Sequence, residues 1–208
     1  MAGREVLIVR TGTANLASVA AALNRVGAPS RVTRDSSEVR AADHVVLPGV
    51  GAFGSALARL RETSLLDALL ERLEVGRPTL AICLGLQILC AASAETPGVP
   101  GLGVIPDRVG RFEHAPRVPQ LGWNAVQPAP DCQLLTSGYA YFANSYRLRH
   151  APSGWASAHC EYGERFVAAL ERGAILGCQF HPELSGAWGL DLIRRWWTQT
   201  SGNGGSAC

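Results

Sequence analysis

The stretch Thr79-Leu80-Ala81-Ile82-Cys83-Leu84-Gly85-Leu86-Gln87 runs from an apolar strand straight into an apolar helix. Cys83 sits at the turn between them. Small residues stand two positions before it (Ala81) and two after it (Gly85). This is the pattern of a nucleophile elbow, with cysteine in the place of serine. The small flanks suit a turn so sharp that neighbouring backbones come close together. Such a turn presents the sulfur at the carboxyl end of a sheet and at a helix N-terminus, where the backbone dipole favours an anion. Taken alone, the segment is equally compatible with a buried structural cysteine that ends a core strand.

Working outward, residues 5–9 read as a buried strand. Residues 15–26 read as a helix with Leu16, Val19, Ala20 and Leu23 on one face, and Gly27 stops it. Short strands follow at 30–33 and 44–47, the second ending in Pro48-Gly49. A leucine stripe predicts one or two helices over 53–73, then a strand over 78–82 and a helix over 86–92. This rhythm predicts an α/β fold of three layers: an open, mostly parallel sheet with helices on both faces. Beyond it, Gly, Pro and aromatic residues punctuate short strands at 109–112, 124–126, 140–146, 155–160, 166–171 and 174–180. These predict antiparallel additions to the sheet. Residues 189–198 read as a closing helix, and the Gly/Ser-rich residues 201–208 as a disordered tail. No repeat or linker interrupts the chain, so residues 1–200 are read as one domain.

Of 208 residues, 47% are hydrophobic and 17% charged, which suffices for a core without cross-links. The formal net charge of +2 gives no basic field of the kind that attracts nucleic acid. No apolar run approaches the roughly 18 residues of a membrane helix. The short apolar run near the N-terminus lacks the features of a signal peptide. The six cysteines form no CxxC pair, which argues against a zinc site, and no metal or cofactor is expected. They read as free thiols in a reducing, cytoplasmic setting.

Two further segments bear on Cys83. In Gln179-Phe180-His181-Pro182-Glu183, the proline biases His181 toward an extended conformation. Residues two apart in an extended segment point the same way, so His181 and Glu183 can face one site. Glu183 would orient the imidazole, and His181 would take the proton of Cys83. The other segment is Pro48-Gly49-Val50-Gly51-Ala52-Phe53-Gly54. Read literally it contains the glycine spacing of a dinucleotide fingerprint. It does not occupy the first strand–helix turn, however, and Glu71 and Glu74 lie in a helical stretch rather than at a strand end. A glycine turn with backbone N–H groups beside a nucleophile serves better as an oxyanion hole.

Together the three segments resemble the class I, or triad, glutamine amidotransferases, over nearly the whole chain. The resemblance implies Cys83 as nucleophile, His181 as general base and acid, and Glu183 as the orienting carboxylate. It further implies that Gly49, Val50, Gly51, Leu84, Gln87, Ser145 and Tyr146 surround bound glutamine, with Val50 and Leu84 offering oxyanion N–H groups.

Within that family, the segments outside the triad most resemble the glutaminase branch that serves imidazole glycerol phosphate synthesis in histidine biosynthesis. They are Gly12-x-x-Asn15, Pro48-Gly49-Val50-Gly51-Ala52-Phe53, Gly101-Leu102-Gly103-Val104-Ile105-Pro106, Val118-Pro119-Gln120-Leu121-Gly122-Trp123-Asn124 and Tyr141-Phe142-Ala143-Asn144-Ser145-Tyr146. This implies a heterodimer with a cyclase or synthase subunit that receives ammonia, docked over Asn15, Trp123 and Leu184. Trp123 is also readable as an ordinary core aromatic. The departures from the branch are Arg10-Thr11, Gln120 and Asn144 in place of two histidines, and Leu184 in place of a lysine. They leave open a related glutaminase feeding a different synthase. A different cysteine–histidine hydrolase on the same sheet, or a non-catalytic scaffold, fits the triad motifs less well.

Overall fold

Four successive apolar residues form strand β1 (Val6–Val9), and all four are buried. Val6 and Ile8 join one hydrophobic cluster while Leu7 and Val9 join another, so the strand is covered on both faces. That is the environment its unbroken apolar run requires. The computed structural model describes residues 5–12 and 15–200, and the tail over 201–208 lies outside them.

From β1 the chain continues through α1 (Leu16–Arg25), β2 (Ser30–Thr33), α2 (Ser36–Ala41), β3 (His44–Gly49), α3 (Phe53–Glu62), α4 (Leu65–Glu74), β4 (Thr79–Cys83) and α5 (Leu84–Leu89). Then come β5 (Cys90–Ser93), β6 (Ile105–Arg111), β7 (Gln120–Pro128), β8 (Gly138–Asn144), β9 (Tyr146–Leu148), β10 (Ala156–Glu161), β11 (Arg165–Arg172) and β12 (Ile175–Cys178). A 3-10 turn over Pro182–Leu184 and α6 (Gly186–Thr200) close the fold.

Among the described residues these strands make a nine-stranded sheet in the order β2-β1-β3-β4-β12-β11-β10-β7-β8, and a smaller sheet β5-β6-β9. The pairs from β2 through β12 are parallel, and those from β12 out to β8 are antiparallel. α1 and α6 cover one face, contributing Val19, Leu23, Ile193 and Trp196. α2 to α5 cover the other, with Val39, Phe53, Leu57, Leu69 and Leu86. The architecture is the expected three-layer α/β sheet with antiparallel additions.

Local boundaries depart from the sequence reading in instructive ways. The helix expected over 86–92 begins at Leu84 and ends at Leu89, and its apolar continuation turns into β5. An unbroken apolar run does not reveal where a buried helix becomes a buried strand. α2 went unread because only Val39 among its six residues is buried. Its start is marked nonetheless by Asp35, whose side chain accepts from the N–H groups of Ser37 and Glu38. The strand expected over 140–146 is broken at Ser145 into β8 and β9, which belong to different sheets.

Gly85 shows how tightly the elbow is packed. A Cβ there would lie 2.1 Å from the carbonyl oxygen of Leu47 in β3, a backbone atom that cannot swing aside. Gly85→Ala is therefore expected to destabilise the protein by roughly 1–3 kcal/mol or more, read by chemical denaturation. An unchanged unfolding midpoint would show that α5 has room to move away from β3.

Candidate active site

The parallel strands place their carboxyl ends along one edge of the sheet. Gly49 at the end of β3 is the register neighbour of Cys83 at the end of β4. Cys83 itself has φ 53 and ψ −107. Apart from Ser64, it is the only described non-glycine residue at positive φ. A side chain held there stores backbone strain of order 1–3 kcal/mol, of the kind that clusters at active sites. Helix α5 begins at the next residue, so its first N–H groups have no partner within the helix.

His181 reaches the sulfur from the end of β12. Its backbone N–H donates to the carbonyl of Tyr141 (2.9 Å), which ties the segment to β8. The Ser185 hydroxyl accepts from the N–H of Tyr141 (3.0 Å) and donates to the carbonyl of His181 (2.6 Å). The imidazole Nδ1 pairs with Glu183 Oε1 at 2.8 Å. Both side chains are buried. Burial alone would lower the pKa of His181. Hydrogen bonds to Cys83 and Glu183, with their charges, outweigh it and raise the pKa to about 10.

The expectation that His181 and Glu183 meet through strand alternation is corrected here. His181 is extended (φ −100, ψ 94), but Pro182 opens a 3-10 turn that contains Glu183. The turn, rather than a two-residue pleat, folds the carboxylate back onto the ring.

A cavity of about 310 Å³ opens over Cys83, lined among others by Val50, Gly51, Leu84, Gln87, Tyr146 and His181. Ser145 also lines it. Gly49 does not. It lies under the elbow, where a Cβ would come 2.8 Å from that of Leu84, and its role is close backbone approach. Gly51 adopts φ 94, a conformation that frees the turn above the sulfur from the constraints on other residues.

Glu95, Ala143 and Asn144 also line this cavity and were not foreseen. Glu95 accepts the N–H of Phe53 (2.7 Å) and so pins the chain as it leaves the Gly51 turn. An isolated acidic residue outside any motif gave no signal for this. A larger, more open depression beside Glu113, His114 and Arg149 lies away from Cys83.

The remaining described cysteines are free thiols of a different kind. Burial pushes Cys132 up to about 11 and Cys160 up to about 12, and raises Cys90 and Cys178 further. Thiols so placed are poor nucleophiles.

Two of the residues expected to meet a partner, Leu184 and Trp123, lie at the surface. Leu184 directly follows Glu183 and is 42% exposed, and Trp123 is 54% exposed, not a core aromatic. Trp123 pairs with Tyr141 across β7 and β8, edge to face at 6.3 Å. Leu121 and Tyr139 extend the same exposed apolar face. Asn15 caps α1, accepting the N–H of Ser18, and α1 packs against the 3-10 turn that carries Leu184.

Comparison with known proteins agrees with this geometry. The subunit HisH of imidazole glycerol phosphate synthase from Methanothermobacter thermautotrophicus is 44% identical over 192 residues, covering 91% of this chain and 96% of that protein. HisH of Symbiobacterium thermophilum is 41% identical, with 92% of each chain covered. The chloroplastic imidazole glycerol phosphate synthase hisHF of Arabidopsis thaliana is 40% identical across 91% of this chain but 33% of its own length. A crystal structure of a glutamine amidotransferase superposes with a TM-score of 0.77 at 21% identity, covering 94% of this chain and 98% of that one, which speaks for the fold. The family described as glutamine amidotransferase class-I matches residues 7–196. With the elbow cysteine, the histidine beside it and the covering sheet arranged as they are, the chain belongs to the class I glutamine amidotransferases.

Proposed function

We propose that this chain is the glutaminase subunit of an imidazole glycerol phosphate synthase, hydrolysing glutamine to glutamate and passing the ammonia to a cyclase subunit in histidine biosynthesis. The observation that carries the reading is that Cys83 and His181 line one cavity, with Glu183 paired to the far nitrogen of the imidazole. The sulfur of Cys83 attacks the side-chain amide carbon of glutamine. The N–H groups of Val50 and Leu84 receive the oxyanion. His181, having taken the proton of Cys83, gives it to the departing nitrogen. Ammonia leaves and a glutamyl thioester remains on Cys83. Neutral His181 then draws a proton from water, whose oxygen attacks the thioester. Glutamate departs, and the sulfur–imidazole pair is restored. Glu183 holds the ring by its Nδ1–H and offsets its charge.

In this reading residues 1–200 act as one domain within a cytoplasmic heterodimer. The unpaired thiols among the described residues suit a reducing compartment. No described helix is long and apolar enough to cross a membrane. The face around Trp123 is where the cyclase docks, and the long hisHF relative, of which this chain matches 33%, supports a synthase working beside the glutaminase.

A glutamine-like electrophile is expected to label Cys83. Labelling of any other cysteine would contradict the assignment. Trp123→Ala is expected to weaken association with the cyclase roughly 30- to 1,000-fold, the about 2–4 kcal/mol of a buried aromatic anchor, without altering the thermal unfolding of the isolated chain. Titration calorimetry reads this directly. A dissociation constant within twofold of wild type would place the docking face elsewhere.

A further inference from the structure

Gln179 sits one residue beyond β12, and the parallel register that sets Cys178 beside Ile82 sets Gln179 beside Cys83. Its side chain is completely buried. Its amide nitrogen lies 3.7 Å from the Cys83 sulfur and donates to it. Its oxygen accepts from Gln87 Nε2 at 3.0 Å. The same Gln87 nitrogen donates to the carbonyl of Tyr146 at 3.2 Å, and Asn144 Nδ2 donates to that carbonyl at 3.0 Å.

The direction of this chain is fixed by valence. The Tyr146 carbonyl can only accept, so Gln87 must turn its NH₂ group toward it. The second hydrogen of that group then requires an acceptor from Gln179, which leaves the NH₂ group of Gln179 facing sulfur. With both its donors committed, Gln87 has only its carbonyl oxygen to offer a ligand in the cavity it lines.

We propose that Gln179 is a catalytic residue of this glutaminase: its amide is a second hydrogen-bond donor to the Cys83 sulfur, opposite in kind to His181 because it cannot give up its proton. His181 must release its proton to the departing ammonia, and at that moment it ceases to be a cation. Gln179 keeps its N–H on the sulfur throughout. It thereby stabilises the sulfur anion before attack and again when water expels it from the thioester. The Gln179–Gln87–Tyr146 chain also ties the nucleophile to the wall of the cavity, so the sulfur and the glutamine site are set by one hydrogen-bonded unit.

The inference rests on Cys83 being the nucleophile, and its test separates the two. The variants are Gln179→Met, which keeps the volume and removes the donor, and Gln179→Glu, which keeps the shape and places an anion near sulfur. Iodoacetamide is the probe, with the adduct on Cys83 located by mass spectrometry in the full-length chain. Gln179→Met is expected to move the pH profile of the Cys83 alkylation rate upward by about one unit, as for loss of a hydrogen bond to a charged group. Gln179→Glu should move it at least as far. In the complex with the cyclase, kcat for glutamine should fall in parallel while KM stays within about threefold. Should Gln179→Met unfold, the Glu variant alone carries the measurement. An unshifted alkylation profile with wild-type kcat in a folded variant would overturn the proposal and leave Cys83 in place. Undiminished hydrolysis by Cys83→Ala would instead overturn the reading beneath it.

Discussion

Cys83→Ala is expected to lower glutamine hydrolysis at least about 10³-fold while leaving the fold intact, because the alanine retains the packing of the elbow and removes only the sulfur. The expectation follows from geometry. Cys83 alone among the described cysteines lies in the cavity, at a strained turn, within hydrogen-bonding reach of an imidazole. His181→Ala should cost nearly as much. The sulfur of Cys83 has the imidazole of His181 and the amide of Gln179 as partners, and the amide cannot give up a proton. Glu183→Gln should cost less than either, since it preserves the shape of the 3-10 turn and an acceptor for Nδ1 while losing the charge. Steady-state glutamate release by the complex is the measurement. Near-normal turnover by the His181 variant would dismantle the triad.

The isolated chain should hydrolyse glutamine slowly, and the cyclase loaded with its own substrate should raise that rate by on the order of 10²-fold. Ammonia released with no acceptor would be wasted, so a glutaminase subunit gains from remaining off until its partner is ready. The Gly49-Val50-Gly51 turn is a physical place for such a switch. Gly51 sits at φ 94, where a peptide flip that aims an N–H into the oxyanion hole meets little steric resistance. A 10²-fold change requires the partner to favour one turn state by about 2.7 kcal/mol, within the range of ordinary interface contacts. The turn is held at its far end by Glu95 on the N–H of Phe53, and exposed Leu184 directly follows Glu183. Full activity of the purified chain alone, with no stimulation by any synthase, would contradict this.

Much of this site was legible in the sequence because each part follows from a local rule. The run from Thr79 to Gln87 shows an elbow, since a strand that turns sharply into a helix brings backbones close and needs small residues on both sides of the cysteine. The proline after His181 fixed the extended backbone that the structure shows. What local rules could not supply was the meeting of distant elements. Gln179 falls inside the strand read over 174–180, and only the register of β12 against β4 places it beside sulfur. Glu95 and Asn144 became cavity walls only through the tertiary fold. The boundary between α5 and β5 was hidden because burial on all sides erases the periodicity that distinguishes a helix from a strand. Trp123 could be read as core or as anchor, and its exposure decides for the surface.

Leu184 stands where the branch this chain resembles has a lysine, so its cyclase should lack or reposition the acidic residue that would meet that lysine, with apolar contact in its place. The most direct test of the account mixes this chain with the histidine-pathway cyclase from the same source, supplies the phosphoribosyl substrate, and follows imidazole glycerol phosphate with either glutamine or an ammonium salt as nitrogen donor. Product from glutamine, abolished by Cys83→Ala and restored by ammonium, is the expected result. Product from ammonium but none from glutamine with the wild-type chain would contradict it, showing that the cyclase works and that this glutaminase feeds another synthase.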